Sequence, residues 1–130
     1  MSANLDLVRS IYADWERGDF SNAKWAHSEI EYVIADGPEP GSWRGLAELA
    51  EDARDLLGAW EGYRAEAEEY RELDDERVLV LIRRSGRGKT SGLEIATKGA
   101  ALFQLRDGRV TRYVTYWDRA SALADLGLEG

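Results

Sequence analysis

The stretch AALFQLRDGRVTRYVTYWD, Ala100 to Asp118, constrains the fold more than any other part of the chain. An Asp-Gly pair between two apolar-rich runs is a strong hairpin signal, because both residues tolerate the positive φ of a tight turn. Two registers are open. A two-residue Asp107-Gly108 loop sets Arg106 opposite Arg109; a three-residue loop with Gly108 left-handed in a bulge pairs Leu105 with Arg109. The bulged register avoids two opposed arginines and is preferred. It gathers Ala101, Phe103, Leu105, Thr111, Tyr113, Thr115 and Trp117 on one face. Leu102, Gln104, Val110, Arg112, Val114 and Tyr116 then share the other. A slip of one residue exchanges the faces of a strand, so the register decides what a pocket is made of.

The rest of the chain supplies what such a hairpin packs against. Leu5, Val8, Ile11, Tyr12 and Trp15 recur at helical spacing and predict a helix over about 3–17, with Gly18 as its stop. Ser21 is expected to cap a short second helix carrying Ala23, Trp25 and Ala26. Ile30, Tyr32 and Ile34 alternate as a strand, broken by the loop from Asp36 through Pro38 to Gly41. Leu46, Leu49, Ala50, Ala53, Leu56, Leu57 and Trp60 form the longest helical stripe, followed by Gly62. Strands are expected over 63–73, over the nearly continuous apolar run Val78 to Ile82, over 93–106 and over 109–117. The segment Ser85 to Gly92 reads as a hairpin loop and 120–128 as a last helical turn. Helices first and then an antiparallel meander indicate one α+β domain, 1–130, with a curved sheet wrapped around a helix and a concave cavity.

Composition bounds the function. The 130 residues include no cysteine, which excludes disulfides, thiolate metal sites and a cysteine nucleophile. A formal net charge of -8 repels phosphate backbones and anionic membranes, so neither nucleic acid nor membrane is an expected partner. No apolar run reaches membrane-spanning length and no signal pattern opens the chain, so a cytoplasmic location is expected. Gly86-Arg87-Gly88-Lys89-Thr90 is not a phosphate loop: Arg83 stands where the first glycine belongs, and the segment opens no helix.

Several local signals resemble the NTF2-like superfamily, in particular its SnoaL-like polyketide cyclase and ketosteroid isomerase branches. They are Trp15-Glu16-Arg17-Gly18-Asp19-Phe20, Ile30-Glu31-Tyr32-Val33, the Gly45 to Leu57 helix, Phe103 to Val110 and Tyr116-Trp117-Asp118. The resemblance covers essentially the whole chain. It implies a cone, also described as a cystatin-like α+β roll: a curved antiparallel or mixed sheet closed by N-terminal helices, paired as a homodimer through the outer sheet face. It also implies that Tyr113, Thr115 and Trp117 face a ligand and that Asp36, nine residues before Gly45, matches the isomerase base. The isomerase's tyrosine and protonated aspartate would fall on Ile11 and Ala101, so its oxyanion donors do not carry over.

The candidate site follows from parity and residue chemistry. Asp36 shares the parity of Tyr32 and Ile34, and a carboxylate beside apolar walls gains proton affinity suited to proton abstraction. Its plainer role is an Asx turn into Gly37 and Pro38. Tyr32 and Arg83, or its neighbour Arg84, are candidates to hold an enolate; Glu94 is a possible partner of Arg83, or merely half of a surface pair. Tyr12, Trp15, Trp43, Trp60, Phe103, Tyr113, Thr115 and Trp117 are the candidate pocket lining. His27, the only histidine, is either a base near the mouth or a helix-end cap. Asp118 is either a second acid or the N-cap of a closing helix. No metal-ligand spacing or cofactor fingerprint occurs, so neither is expected.

The expected function is a pocket for a small hydrophobic molecule, acting as a cofactor-independent cyclase or isomerase by proton abstraction beside a carbonyl. The alternatives are a non-catalytic ligand-binding or assembly domain and an epoxide hydrolase, which needs a clustered Asp-Arg-Asp arrangement.

Overall fold

The computed structural model describes residues 3–17, 19, 24–37 and 40–128. The roles expected of Gly18, Phe20, Ser21, Ala23, Pro38 and the Leu56 side chain lie outside the described residues. The elements run α1 (Ala3–Glu16), β1 (Ala26–Ile34), β2 (Gly41–Arg44), α2 (Leu46–Ala59), β3 (Trp60–Glu72), β4 (Arg77–Gly88), β5 (Glu94–Arg106), β6 (Arg109–Tyr116) and α3 (Arg119–Asp125). The strands form one curved mixed sheet in the order β2-β1-β6-β5-β4-β3, which does not close on itself. β3 to β6 make the expected antiparallel meander, and β1 pairs parallel to β6.

Helix α1 lies on the inner face through its apolar stripe. Val8, Ile11 and Tyr12 are buried against Val78, Val80, Ile82, Phe103, Leu105 and Val110. A second layer covers the outer face, where Ala122 and Leu123 of α3 bury Leu79, Leu81, Leu102, Val114 and Tyr116. β4 is therefore buried on both faces, which is why its sequence shows a continuous apolar run and no alternation.

The hairpin departs from the preferred register. Arg106 pairs directly with Arg109 across a two-residue turn, and both turn residues have positive φ (Asp107 54°, Gly108 77°). Such a turn matches the right-handed twist of the strands, and Arg106 is partnered by Glu76 at 3.3 Å, which offsets the like charge opposite. The bulge lies further along, at Thr111, between the Leu105–Val110 and Gln104–Arg112 pairs. The Thr111 hydroxyl donates to the Gln104 carbonyl at 3.2 Å and holds it there. This extra residue brings Tyr113 opposite Phe103 and Thr115 opposite Ala101, so both keep the expected inner face, while Val110 moves inside opposite Leu105.

Other boundaries shift for local reasons. Ala26 and His27 begin β1 rather than ending a helix, with the Val110 N–H donating to the Trp25 carbonyl just before it. Gly41–Arg44 is an edge strand that the Pro- and Gly-rich context concealed. Trp60 and Gly62 belong to β3, not to the helix and its stop. β4 runs on to Gly88, so the loop expected over 85–92 shrinks to a turn at 89–92, tied down by the Lys89 N–H on the Ala59 carbonyl at 3.0 Å. α3 spans Arg119–Asp125, shorter than expected.

Candidate functional site

Side-chain size falls along the inner face of β5, from Leu105 and Phe103 to Ala101 and Gly99, and a hollow opens where it falls. The cavity is about 490 Å³ and more apolar than polar. Tyr32 and Ile34 from β1, Tyr113 and Thr115 from β6, and Trp117 form one side; Asp52, Asp55 and Ala59 of α2 face it. Trp60 and Tyr63 of β3, Arg84 and Gly88 of β4, and Thr90 and Ser91 of the β4–β5 turn complete the lining.

Aromatic rings build the supporting wall. Trp43, Tyr32, Tyr113 and Phe103 occupy paired positions on four neighbouring strands. Tyr32 stacks on Tyr113 at 5.3 Å and Tyr113 on Phe103 at 4.8 Å, while Trp43 tilts over Tyr32 at 5.7 Å. Tyr12 and Trp15 back this wall from α1, Tyr12 edge-on to Phe103 at 5.9 Å and Trp15 tilted against Tyr113 at 6.1 Å. Burial pushes the Tyr32 and Tyr113 hydroxyls well above the ordinary tyrosine value of 10.0, so both are neutral donors at physiological pH. The Tyr12 hydroxyl, also raised by burial, approaches that of Tyr113 without reaching proper hydrogen-bond geometry.

Two polar features stand out against this wall. The Tyr32 hydroxyl lies beside Thr115 and the Asp52 carboxylate, whose negative charge helps it keep its proton, and all three line the cavity. Arg84 is the second. It is 4% exposed, its Nη1 donates to the Tyr116 carbonyl at 2.7 Å, and its guanidinium lies over the Trp117 ring at 5.1 Å. Gly99 makes this possible, since a Cβ there would lie 2.3 Å from Arg84 Nη1.

Tyr32, Trp60, Tyr113, Thr115 and Trp117 thus line the cavity, and Tyr12, Trp15, Trp43 and Phe103 lie outside its lining. Asp36 is not among the lining residues. Its Oδ1 accepts from the Trp117 N–H at 2.5 Å and its Oδ2 from the Asp118 N–H at 3.2 Å. Next to it, Gly37 has φ 94°, and a Cβ there would strike the Trp117 ring at 2.4 Å. Asp36 and Gly37 therefore position Trp117. Arg83 points away from the cavity to an ion pair with Glu68 at 3.2 Å, because Arg84 shares the inward parity of Val78, Val80 and Ile82. Glu94 pairs with Arg87 at 2.8 Å, not with Arg83. His27 Nδ1 accepts from the Glu29 N–H at 3.0 Å, away from the cavity. Asp118 caps α3, accepting from the Ser121 N–H and hydroxyl at 3.2 and 2.8 Å.

Asp52, Asp55 and Tyr63 were missed. Asp52, Asp55 and Ala59 stand at i, i+3 and i+7 on α2, a line flanking its apolar stripe. Acids in register beside an apolar stripe were the available signal.

A curved mixed sheet, helices on its concave side and an aromatic-walled hollow between them define a protein of the NTF2-like class. The sequence matches the SnoaL-like domain over residues 8–113, and the chain belongs to that family. Among solved structures it is similar to an NTF2-like protein of unknown function from Burkholderia pseudomallei, with 20% identity, TM-score 0.79, and 95% of this chain and 97% of that one covered. It is also similar to TerC, co-crystallised with polyporic acid, with 23% identity, TM-score 0.76, and 96% and 98% covered. A protein from Xanthomonas campestris described as a candidate polyketide cyclase shares 22% identity at TM-score 0.73, with 94% of this chain and 95% of that one covered. No curated protein matches the sequence. Among the described residues no helix is long and apolar enough to cross a membrane.

Proposed function

We propose that the protein is a cofactor-independent enzyme that abstracts a proton beside a carbonyl of a small, largely apolar substrate and so drives its cyclisation or isomerisation. The observation that carries the reading is the Asp52 carboxylate beside the Tyr32 hydroxyl in the lining of an aromatic-walled cavity. Membership of the SnoaL-like family supports it. In the cyclising form, Asp52 takes a proton from the carbon next to the carbonyl. The C–H electron pair moves into an enolate, whose oxygen accepts from the Tyr113 hydroxyl. The enolate carbon attacks a second carbonyl of the same molecule, a C–C bond forms, and the resulting alkoxide takes the proton back from Asp52. General base catalysis contributes about 10²–10⁴ in rate, so the C–H bond must already be activated.

The probe is 2-tetralone in deuterated buffer, with α-proton exchange followed by NMR. The protein is expected to accelerate exchange over buffer, and Asp52→Asn to remove about 10²-fold or more of that acceleration. Equal exchange with both proteins rejects the reaction and leaves the cavity as a binding site. A second reading, opening of an apolar epoxide by water, draws on the presence of Asp52, Asp55 and Arg84 in one lining. Incorporation of ¹⁸O from labelled water into a diol would identify it.

A further inference from the structure

Arg84 carries a charge that the proton-abstraction scheme does not use. It is almost completely buried, at 4% exposure, yet lines the cavity. Among the described residues no carboxylate lies within ion-pair distance of it: the ion pairs of β4 are made by Arg77 with Asp74, Arg83 with Glu68 and Arg87 with Glu94. A guanidinium presents five N–H donors in a planar fork, and among the described residues Arg84 donates to one neutral carbonyl, that of Tyr116. The face of Trp117 meets it on one side. Taking a cation out of water without an anion is costly, and the cost is recovered when an anion completes the pair. The surroundings hold the side chain for that purpose. Gly99 leaves the space the guanidinium occupies, and the Asp36–Gly37 clamp fixes the Trp117 ring against which it lies.

We infer that Arg84 is the anion-binding subsite of the cavity, and that the ligand is a flat organic acid whose carboxylate or acidic enol oxygens pair with the guanidinium. The inference rests on the reading of the cavity as the ligand site, and not on Asp52 acting as a base. Asp52 and Asp55 on α2 share the lining and repel an anion, so the charged part of the ligand is held at Arg84 and its C–H or hydroxyl part is left to the acids.

The test compares matched charged and neutral probes by quenching of tryptophan fluorescence and by calorimetry. The pairs are 2-naphthoate against 2-naphthamide, and 2-hydroxy-1,4-naphthoquinone against its methyl ether; the first reads a carboxylate, the second an acidic enol. At least one acid is expected to bind about tenfold or more tightly than its neutral partner. Arg84→Gln should abolish the preference while leaving the neutral probe's affinity within about threefold, and Arg84→Lys should retain part of it. Equal binding of acid and neutral partner in both pairs overturns the inference and leaves the apolar cavity standing. So does an acid preference that survives Arg84→Gln. Binding of none of the four overturns both the inference and the cavity as a ligand site. If Arg84→Gln does not fold, the wild-type comparison and Arg84→Lys decide. Loss of α-proton exchange catalysis in the tetralone experiment, with the acid preference intact, rejects the enzyme and keeps the subsite.

Discussion

Asp36 shows how one side chain can look like a base and serve as a strut. Both of its carboxylate oxygens accept backbone N–H groups, at 2.5 and 3.2 Å, and these come from residues more than 80 positions away. Asp36→Ala leaves two donors unpaired at the end of β6 and is expected to cost about 1–3 kcal/mol in urea unfolding. An unchanged midpoint would rule out the strut. The buried tyrosines give a pH prediction. Tyr32 and Tyr113 hold their protons more tightly folded than unfolded, so their contribution is complete below the ordinary value of 10.0 and is lost as pH rises above it. Each removes up to about 1.4 kcal/mol per pH unit in that range. Urea midpoints from pH 8 to 11 should therefore fall more steeply for the native protein than for Tyr113→Phe. At this scale the sequence was readable where parity was clear and misleading where it was not. Tyr32, Tyr113, Thr115 and Trp117 line the cavity as their alternation requires. Arg83 and Arg84 were indistinguishable, because α3 buries Leu79 and Leu81 on the outer face and erases the alternation that would have separated them. Asp36 has the right parity, but parity says nothing of two N–H groups brought in from another strand.

At the scale of elements, the β5–β6 hairpin decides which residues face the cavity. The turn and the bulge at Thr111 act in opposite senses: a two-residue turn alone would put Tyr113 and Thr115 outside, and the extra residue returns them. Deleting Thr111 removes the bulge and keeps every pair beyond it, Tyr113 opposite Phe103 and Thr115 opposite Ala101, so the inner face survives. The expected cost is about 1 kcal/mol, from the lost Thr111–Gln104 bond and the local bend. Cooperative thermal unfolding and the near-ultraviolet tyrosine and tryptophan signal should be kept; losing both would refute this account of the register. The Asp-Gly signal located this hairpin correctly. Its register was missed because opposed arginines were weighed without Glu76, which reaches Arg106 from the β3–β4 turn. Helices α1 and α2 were legible from their stripes. Asp52 was not, because an acid flanking a stripe reads as solvated until the helix is known to lie across a cavity.

For the molecule as a whole, the outer sheet face matters most. The Val114 and Tyr116 side chains expected to meet a second copy are covered by α3, and Val110 lies inside. The homodimer that the family resemblance implies would therefore be built over α3, and a monomer mass in light scattering at micromolar concentration rejects it. Removing 119–130 should bare Leu79, Leu102, Val114 and Tyr116 and raise the scattering mass above that of the full chain. Strand order has a consequence for how the molecule is made. β6, the last strand in sequence, lies between β1 and the rest of the sheet. On the ribosome, the β1–β2 hairpin has nothing to join until residues near 117 leave the exit tunnel. The chain must wait, half assembled, with its early apolar surfaces bare, and no ligand can assist before that moment. Selection on such a sequence acts on the solubility of the unfinished chain as well as on the finished hollow, and the acidic excess, which lies in the first half of the chain, suits that need.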